Sequence, residues 1–178
     1  MLLTLIAIIM AASIWMYNRL VRLRNMVAEG LSAIDVQLER RANLIPNLEQ
    51  AVKGSMGHER ALLTEIAELR AKSRSARGVG DKAEAEMGLS KALAGLVALA
   101  ESYPDLKANQ NFLALQRELS DIEDQIQMAR RYYNGTVRNL NIAVESFPSL
   151  IIASLGGFKT AECFAAEADD RAAPRLEM

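Results

Sequence analysis

Apolar residues return every three or four positions along most of this chain, which is the spacing of one helix face. One seam runs Leu20, Leu23, Val27, Leu31, Ile34, Leu38, Ala42, Ile45, Leu48, Val52 and Met56, and after a polar step at Glu59 it resumes at Leu63, Ile66 and Leu69. Its mean step of about 3.5 residues is the repeat of helices packed along a narrow seam. Pro46 and the glycines of "GSMGH" at 54–58 interrupt it, and either can be a kink or a turn. "AKSRSARGVGD" at 71–81 is small, basic and glycine-containing, and predicts a loop. A second helix is expected from Lys82 to Ser102 with Leu89, Leu93, Leu96 and Leu99 or Ala100 on one face, closed by Pro104. A third begins near Lys107 with the longest seam: Phe112, Leu115, Leu119, Ile122, Ile126, Ala129, Tyr133, Val137, Leu140, Val144 and Phe147, stopped by Pro148.

These lengths constrain topology. If the chain turns at Gly54–Gly57, four helices run up, down, up and down; if not, one long helix faces a broken return pair. In both schemes the third seam ends where the first began, because outgoing and returning lengths match at about 1.5 Å per residue.

The segment before the first seam is different. From Leu2 to Tyr17 no side chain is charged, and Arg19, Arg22 and Arg24 follow at once. As a helix it spans about 24 Å, short of a hydrocarbon layer of roughly 30 Å unless its flanks help. Trp15 and Tyr17 suit the headgroup level, and the arginines can snorkel. A soluble core helix and a cleaved export signal are the alternatives, although a signal carries its positive charge before the apolar run. By the positive-inside rule the N-terminus lies outside and the rest of the chain in the cytoplasm.

Composition narrows the class. Lys plus Arg (21) balance Asp plus Glu (22), and aromatics make up 5% of residues, so nucleic acid finds neither a basic footprint nor a stacking surface. Cys163 is the single cysteine, which excludes an internal disulfide. Ten glycines and four prolines in 178 residues leave a helix-forming mixture. The expected fold is all-α: a transmembrane helix at 1–19, an elongated antiparallel four-helix up-and-down bundle with coiled-coil-like seams at 20–164, and a disordered tail at 165–178.

Candidate chemistry is sparse. His58-Glu59 resembles the start of a zinc-protease helix motif, but the second histidine belongs where Leu62 stands, and the chain holds one histidine. No phosphate loop, nucleophile elbow or Cys-His arrangement occurs, so no catalytic residue, cofactor or metal is assigned and the chain reads as non-enzymatic. Asn134-Gly135-Thr136 fits a glycosylation acceptor, yet lies mid-helix on the expected cytosolic side. Arg40-Arg41 and Arg130-Arg131 have two readings. As solvated faces they answer Glu39, Asp121, Glu123 and Asp124 at turn spacing, each contact contributing about 0.3–0.5 kcal/mol. As candidate inter-subunit residues they fix register between copies of the chain. Asparagines at 18, 25, 47, 109, 111, 134, 139 and 141 are indifferent helix formers whose amides, where buried, need partners across helices. Leu150, Ile151, Ile152, Leu155 and Phe158 form an apolar cluster that either lies on the bilayer or covers the end of the bundle. With Trp15, Tyr17, Arg19, Arg22 and Arg24, the residues Leu150, Ile151 and Phe158 are the candidate membrane interface.

Several blocks together resemble one family: "YNRLVRLRN", "IDVQLERRANLIPNLEQAVKG", "HE" at 58 and 59, "YPDLKANQNFLALQRELSDIEDQI", "ARRYYNGTVRNLN", "FPSLIIA" and "GFKTAECF". Collinear from Tyr17 to Phe164, they are similar to the LemA family of bacterial membrane-anchored helical proteins. Asn43 and Ser55 depart from it, standing where relatives usually carry an aspartate and often an aromatic. The resemblance implies an N-terminal membrane helix, a helical bundle and location in the bacterial inner membrane. It also implies a part in shaping intracellular membranes, or company with a membrane protease. The expected function is therefore a membrane-bound homo-oligomeric scaffold, with an adaptor of a membrane protease or envelope-stress system as the alternative.

Overall fold

The computed structural model describes residues 1–53 and 59–164. The "GSMGH" turn or kink, His58 and the tail from 165 lie outside the described residues. Within them the chain is all-α: α1 (Leu2–Lys53), α2 (Arg60–Ser75), α3 (Val79–Ala100), the single turn α4 (Pro104–Lys107), α5 (Gln110–Glu145) and α6 (Ser149–Leu155). No strand occurs among the described residues.

Pro46 lies inside α1 and is not a turn. A proline there leaves the carbonyl four residues back without its amide donor. That carbonyl belongs to Ala42, and the Arg70 Nε–H of α2 donates to it at 2.7 Å. The expected loop at 71–81 shrinks to residues 76–78, because "AKSRS" continues α2 and buries Ser73, whose hydroxyl bonds Glu86 of α3. The second helix ends at Ala100 rather than Ser102. The third starts at Gln110, where the Asn109 side chain accepts from the amides of Asn111 (2.9 Å) and Phe112 (3.3 Å) as an N-cap.

The chain forms two compact units, and α1 and α5 contribute to each. The first comprises Met1–Val36 and Gln127–Cys163. Its core is Leu20, Leu140, Ala143, Val144, Ala153 and Phe158, with Val21, Leu23, Val27 and Ile152 packed against them. The two helices approach closely at Gly30, where an added Cβ would stand 3.1 Å from the Tyr133 Cα.

The second unit comprises Gln37–Ile126 with Phe164. Here α2 returns along α1, shown by Arg70 on Ala42 and by the Arg74–Glu39 ion pair at 3.5 Å. α3 returns along α2 through Lys72–Glu84 (3.0 Å) and the approach of Leu69 to Gly88. With the first part of α5 these segments bury Ile45, Leu48, Val52, Ile66, Leu89, Leu93, Leu96, Ile122 and Ile126. Most positions of the seams expected from periodicity are buried or half-buried among the described residues, whereas Phe147, the last seam position, is 80% exposed. α5 ends at Glu145, so Phe147 lies beyond the helix whose face would have turned it inward.

Candidate functional site

In the first unit, α1 begins with the surface that could meet lipid. Leu2, Leu3, Leu5, Ile6, Ile8, Ile9, Met10 and Ile14 are all exposed, and only 6% of the most apolar 18-residue window is buried. By length and composition α1 is a candidate membrane anchor. A core helix buries such a face. At its end the Arg19 guanidinium lies over the Trp15 ring, 5.7 Å from the centroid, a cation–π contact that keeps a charge beside an aromatic. Arg22 is exposed, as is Arg24.

α6 packs on the helix that carries these groups. Its termination is a Schellman motif: the Phe158 amide donates to the Ala153 carbonyl (2.9 Å), that of Gly157 to Ser154 (3.4 Å), and Gly157 takes φ +68°. A Cβ at Gly156 would meet the Phe158 ring at 2.8 Å, so the glycine pair fits both the turn and the ring. Phe158 then enters the core, edge-on to Tyr17 (centroids 5.5 Å apart) and under Arg24 (5.2 Å). Its expected place at the membrane surface is thereby corrected: Phe158 is 8% exposed and joins α6 to α1 and α5. Leu150 and Ile151 do face outward, with Leu155 and the preceding Phe147, while Ala153 is buried. The apolar cluster therefore does two jobs on opposite sides of one short helix.

Beyond Phe158 the chain runs without secondary structure beside α5. Asn141 holds it like a neighbouring strand: its Nδ2 donates to the Ala161 carbonyl (3.0 Å), and its Oδ1 accepts from the Ala161 amide (2.8 Å). The Tyr133 hydroxyl donates to the Glu162 carbonyl at 2.8 Å. Burial raises the Tyr133 pKa, and the nearby Cys163 and Glu162 raise it further. Buried amides in this chain are expected to pair between helices; Asn141 instead bonds a segment without secondary structure. The signal available was that "RNLN" and "GFKTAECF" both stood among the resembling blocks.

In the second unit the arginine pairs separate. Arg41 is fully buried and bonds the carboxylates of Glu86 and Glu123 and, at 2.7 Å, the Ser90 hydroxyl. Ser90 in turn donates to Glu123 (3.1 Å), and Ser73 to Glu86. One side chain from α1, one from α2, two from α3 and one from α5 thus meet in a single network, buried at Arg41 and Glu86 and partly open to solvent at Glu123. Charges removed from water need partners of this kind. Arg41 is therefore not available to another subunit, nor is Arg130, which is 6% exposed in the first unit. Periodicity missed both because a buried arginine and an exposed one can share an identical sequence step. Arg40 and Arg131 remain exposed. An open depression of about 560 Å³, lined by Asn47, Gln50, Ala51, Asn111, Ala114 and Leu115, offers amides but no ionisable group. Among the described residues no group of three or more His, Cys, Asp or Glu could hold a metal.

A model of the LemA family matches residues 30–178. The chain is similar to the magnetosome protein MamQ of Magnetospirillum gryphiswaldense, 25% identical with 83% of this chain covered. It is equally similar to magnetosome protein MamQ 1 of Paramagnetospirillum magneticum, 25% identical over the same share. Protein LemA of Metamycoplasma hominis is 28% identical across 75% of the chain. The alignments span 64% of the length of each of these MamQ proteins and 58% of that LemA protein.

Proposed function

The chain belongs to the LemA family, and from that premise we propose that it is a membrane-anchored, non-enzymatic interaction protein that self-associates and acts as a scaffold or membrane organiser. The observation that carries the reading is the division of labour along α1. Its first turns leave their apolar side chains bare, and the same helix goes on to supply Leu20, Ile34 and Ile45 to the protein interior. Lipid satisfies the first part and protein the second. In this reading the anchor crosses the inner membrane of a bacterium once, with Arg19, Arg22 and Arg24 on the cytoplasmic side together with the remaining chain.

Self-association draws support from the outer face of α5. Met128 and Tyr132 are exposed apolar residues flanking exposed Arg131, and they give a second copy both contact area and a charge to pair. The MamQ relatives are named as magnetosome proteins, which favours the organiser over the adaptor. Mass measurement of the full chain in mild detergent tests the proposal. An oligomer of this chain alone is the expected result. A persistent monomer would sink it, and a membrane protease held in fixed stoichiometry would establish the adaptor instead.

A further inference from the structure

We infer that α6 and the turn before it make a second, peripheral contact with an anionic bilayer, on the leaflet where α1 leaves the membrane; this rests on the reading of α1 as an anchor. The first argument is position. Gly30 of α1 lies against Tyr133 of the antiparallel α5. Twelve residues further along α5, and twelve back along α1, Glu145 stands level with Asn18, since both helices rise equally per residue. α5 therefore ends at the height of Tyr17 and Trp15, the aromatic pair suited to the headgroup layer. The chain turns there, and α6 is fastened to α1 through Ile152, Ala153 and Phe158.

The second argument is the surface left over. Phe147 (80%), Leu150 (47%), Ile151 (52%) and Leu155 (81%) are exposed on the side of this short segment away from the core. Four large apolar groups at headgroup height adjoin a helix whose own apolar surface is already in lipid. The bilayer is thus the partner within reach, and its interface accepts such a face. The third argument is charge. No acidic residue occurs from Met1 to Ala28 or from Ser146 to Ala161, whereas Arg19, Arg22, Arg24 and Lys159 fall in those stretches and are exposed. Glu145 and Arg138 of α5 offset one another nearby. Four cations beside an apolar face complement anionic headgroups.

The test uses the full chain carrying Cys163→Ser, reconstituted in vesicles of phosphatidylglycerol and phosphatidylcholine or of phosphatidylcholine alone. Single spin labels are placed at Leu150→Cys, Ile151→Cys or Leu155→Cys, with Ile9→Cys as a reference in the anchor and Lys91→Cys as one in water. Collision with oxygen, which concentrates in lipid, is compared with collision with a water-soluble nickel chelate. The expected oxygen-to-nickel ratio at the three α6 sites is several-fold above that at Lys91. Arg22→Gln with Lys159→Gln is expected to lower it in the anionic vesicles and leave it unchanged in the neutral ones. A ratio equal to that at Lys91, with Ile9 in lipid, overturns the inference and leaves the anchor standing; Ile9 in water overturns both. Exclusion of both reagents from α6 would place a second copy or another protein on this face and overturn the inference as well.

Discussion

Arg41 shows how much depends on one side chain that a surface reading would treat as ordinary. Its guanidinium, carried by α1, joins two carboxylates and a serine hydroxyl of α3 and α5, so truncation leaves Glu86, itself 1% exposed, as an uncompensated buried charge. Arg41→Ala is expected to cost about 3–5 kcal/mol of stability, read as a lower melting temperature by circular dichroism in detergent, while Arg40→Ala at the neighbouring exposed position stays within about 0.5 kcal/mol. Tyr133 sets a limit at the alkaline end. Its folded pKa lies above the ordinary 10.0, because burial opposes the phenolate and Cys163 and Glu162 add to the opposition. Well below the ordinary value of 10.0 both folded and unfolded chains keep the proton and the residue contributes no pH dependence. As pH rises from there through the folded value, the unfolded chain releases its proton first, and stability is lost. Melting temperature should therefore fall more steeply above pH 10 in the native protein than in Tyr133→Phe, which has no proton to release.

At the scale of elements, the proline in α1 and the arginine in α2 form one device. Arg70→Met should destabilise the protein by about 1–3 kcal/mol by leaving the Ala42 carbonyl unsatisfied. In a Pro46→Ala background residue 46 regains the amide that serves that carbonyl, so the same substitution should cost less. A double-mutant cycle by chemical denaturation reads the difference directly. The clasp after α6 gives a second case. Asn141→Leu removes both bonds to Ala161, and hydrogen exchange through residues 158–163 should quicken by about tenfold or more while the interior amides of α5 hold their rates. The helices themselves were legible because burial imposes a period: Leu38, Ile45, Leu93 and Ile122 sit on the core side as their spacing demands. What spacing does not encode is which polar group a tertiary contact will claim. Ser73 lies in a stretch whose composition predicts a loop, yet it is helical and buried, with its hydroxyl on Glu86 opposite. Phe158 had the composition of a membrane-facing residue, and the left-handed turn at Gly157 sent it into the core.

For the whole molecule, the deciding quantity is the free energy of the first turns of α1 in water against lipid. Leucine and isoleucine near the middle of a spanning helix each favour insertion by about 0.3–0.6 kcal/mol, whereas arginine opposes it by about 2.5–3.5 kcal/mol. Ile6 and Ile9 are exposed and lie about one turn apart near the centre of the bare stretch. Ile6→Arg with Ile9→Arg therefore changes the balance by roughly 6–8 kcal/mol, more than the remaining apolar residues of a segment this short can offset. Neither side chain belongs to a protein core, so the folded units should keep their helix content. The expected outcome is that the native chain sediments with membranes through a high-salt wash and needs detergent for release, while the double variant is recovered folded in the supernatant. Retention of the variant on the membrane would mean that α1 is not what holds the protein there. The proposed orientation rests on the arginines that follow: with Arg19, Arg22 and Arg24 changed to glutamine, the charge bias that would keep that end cytoplasmic disappears. Protease added outside intact cells should then digest a fraction of a chain that, in its native form, it leaves intact.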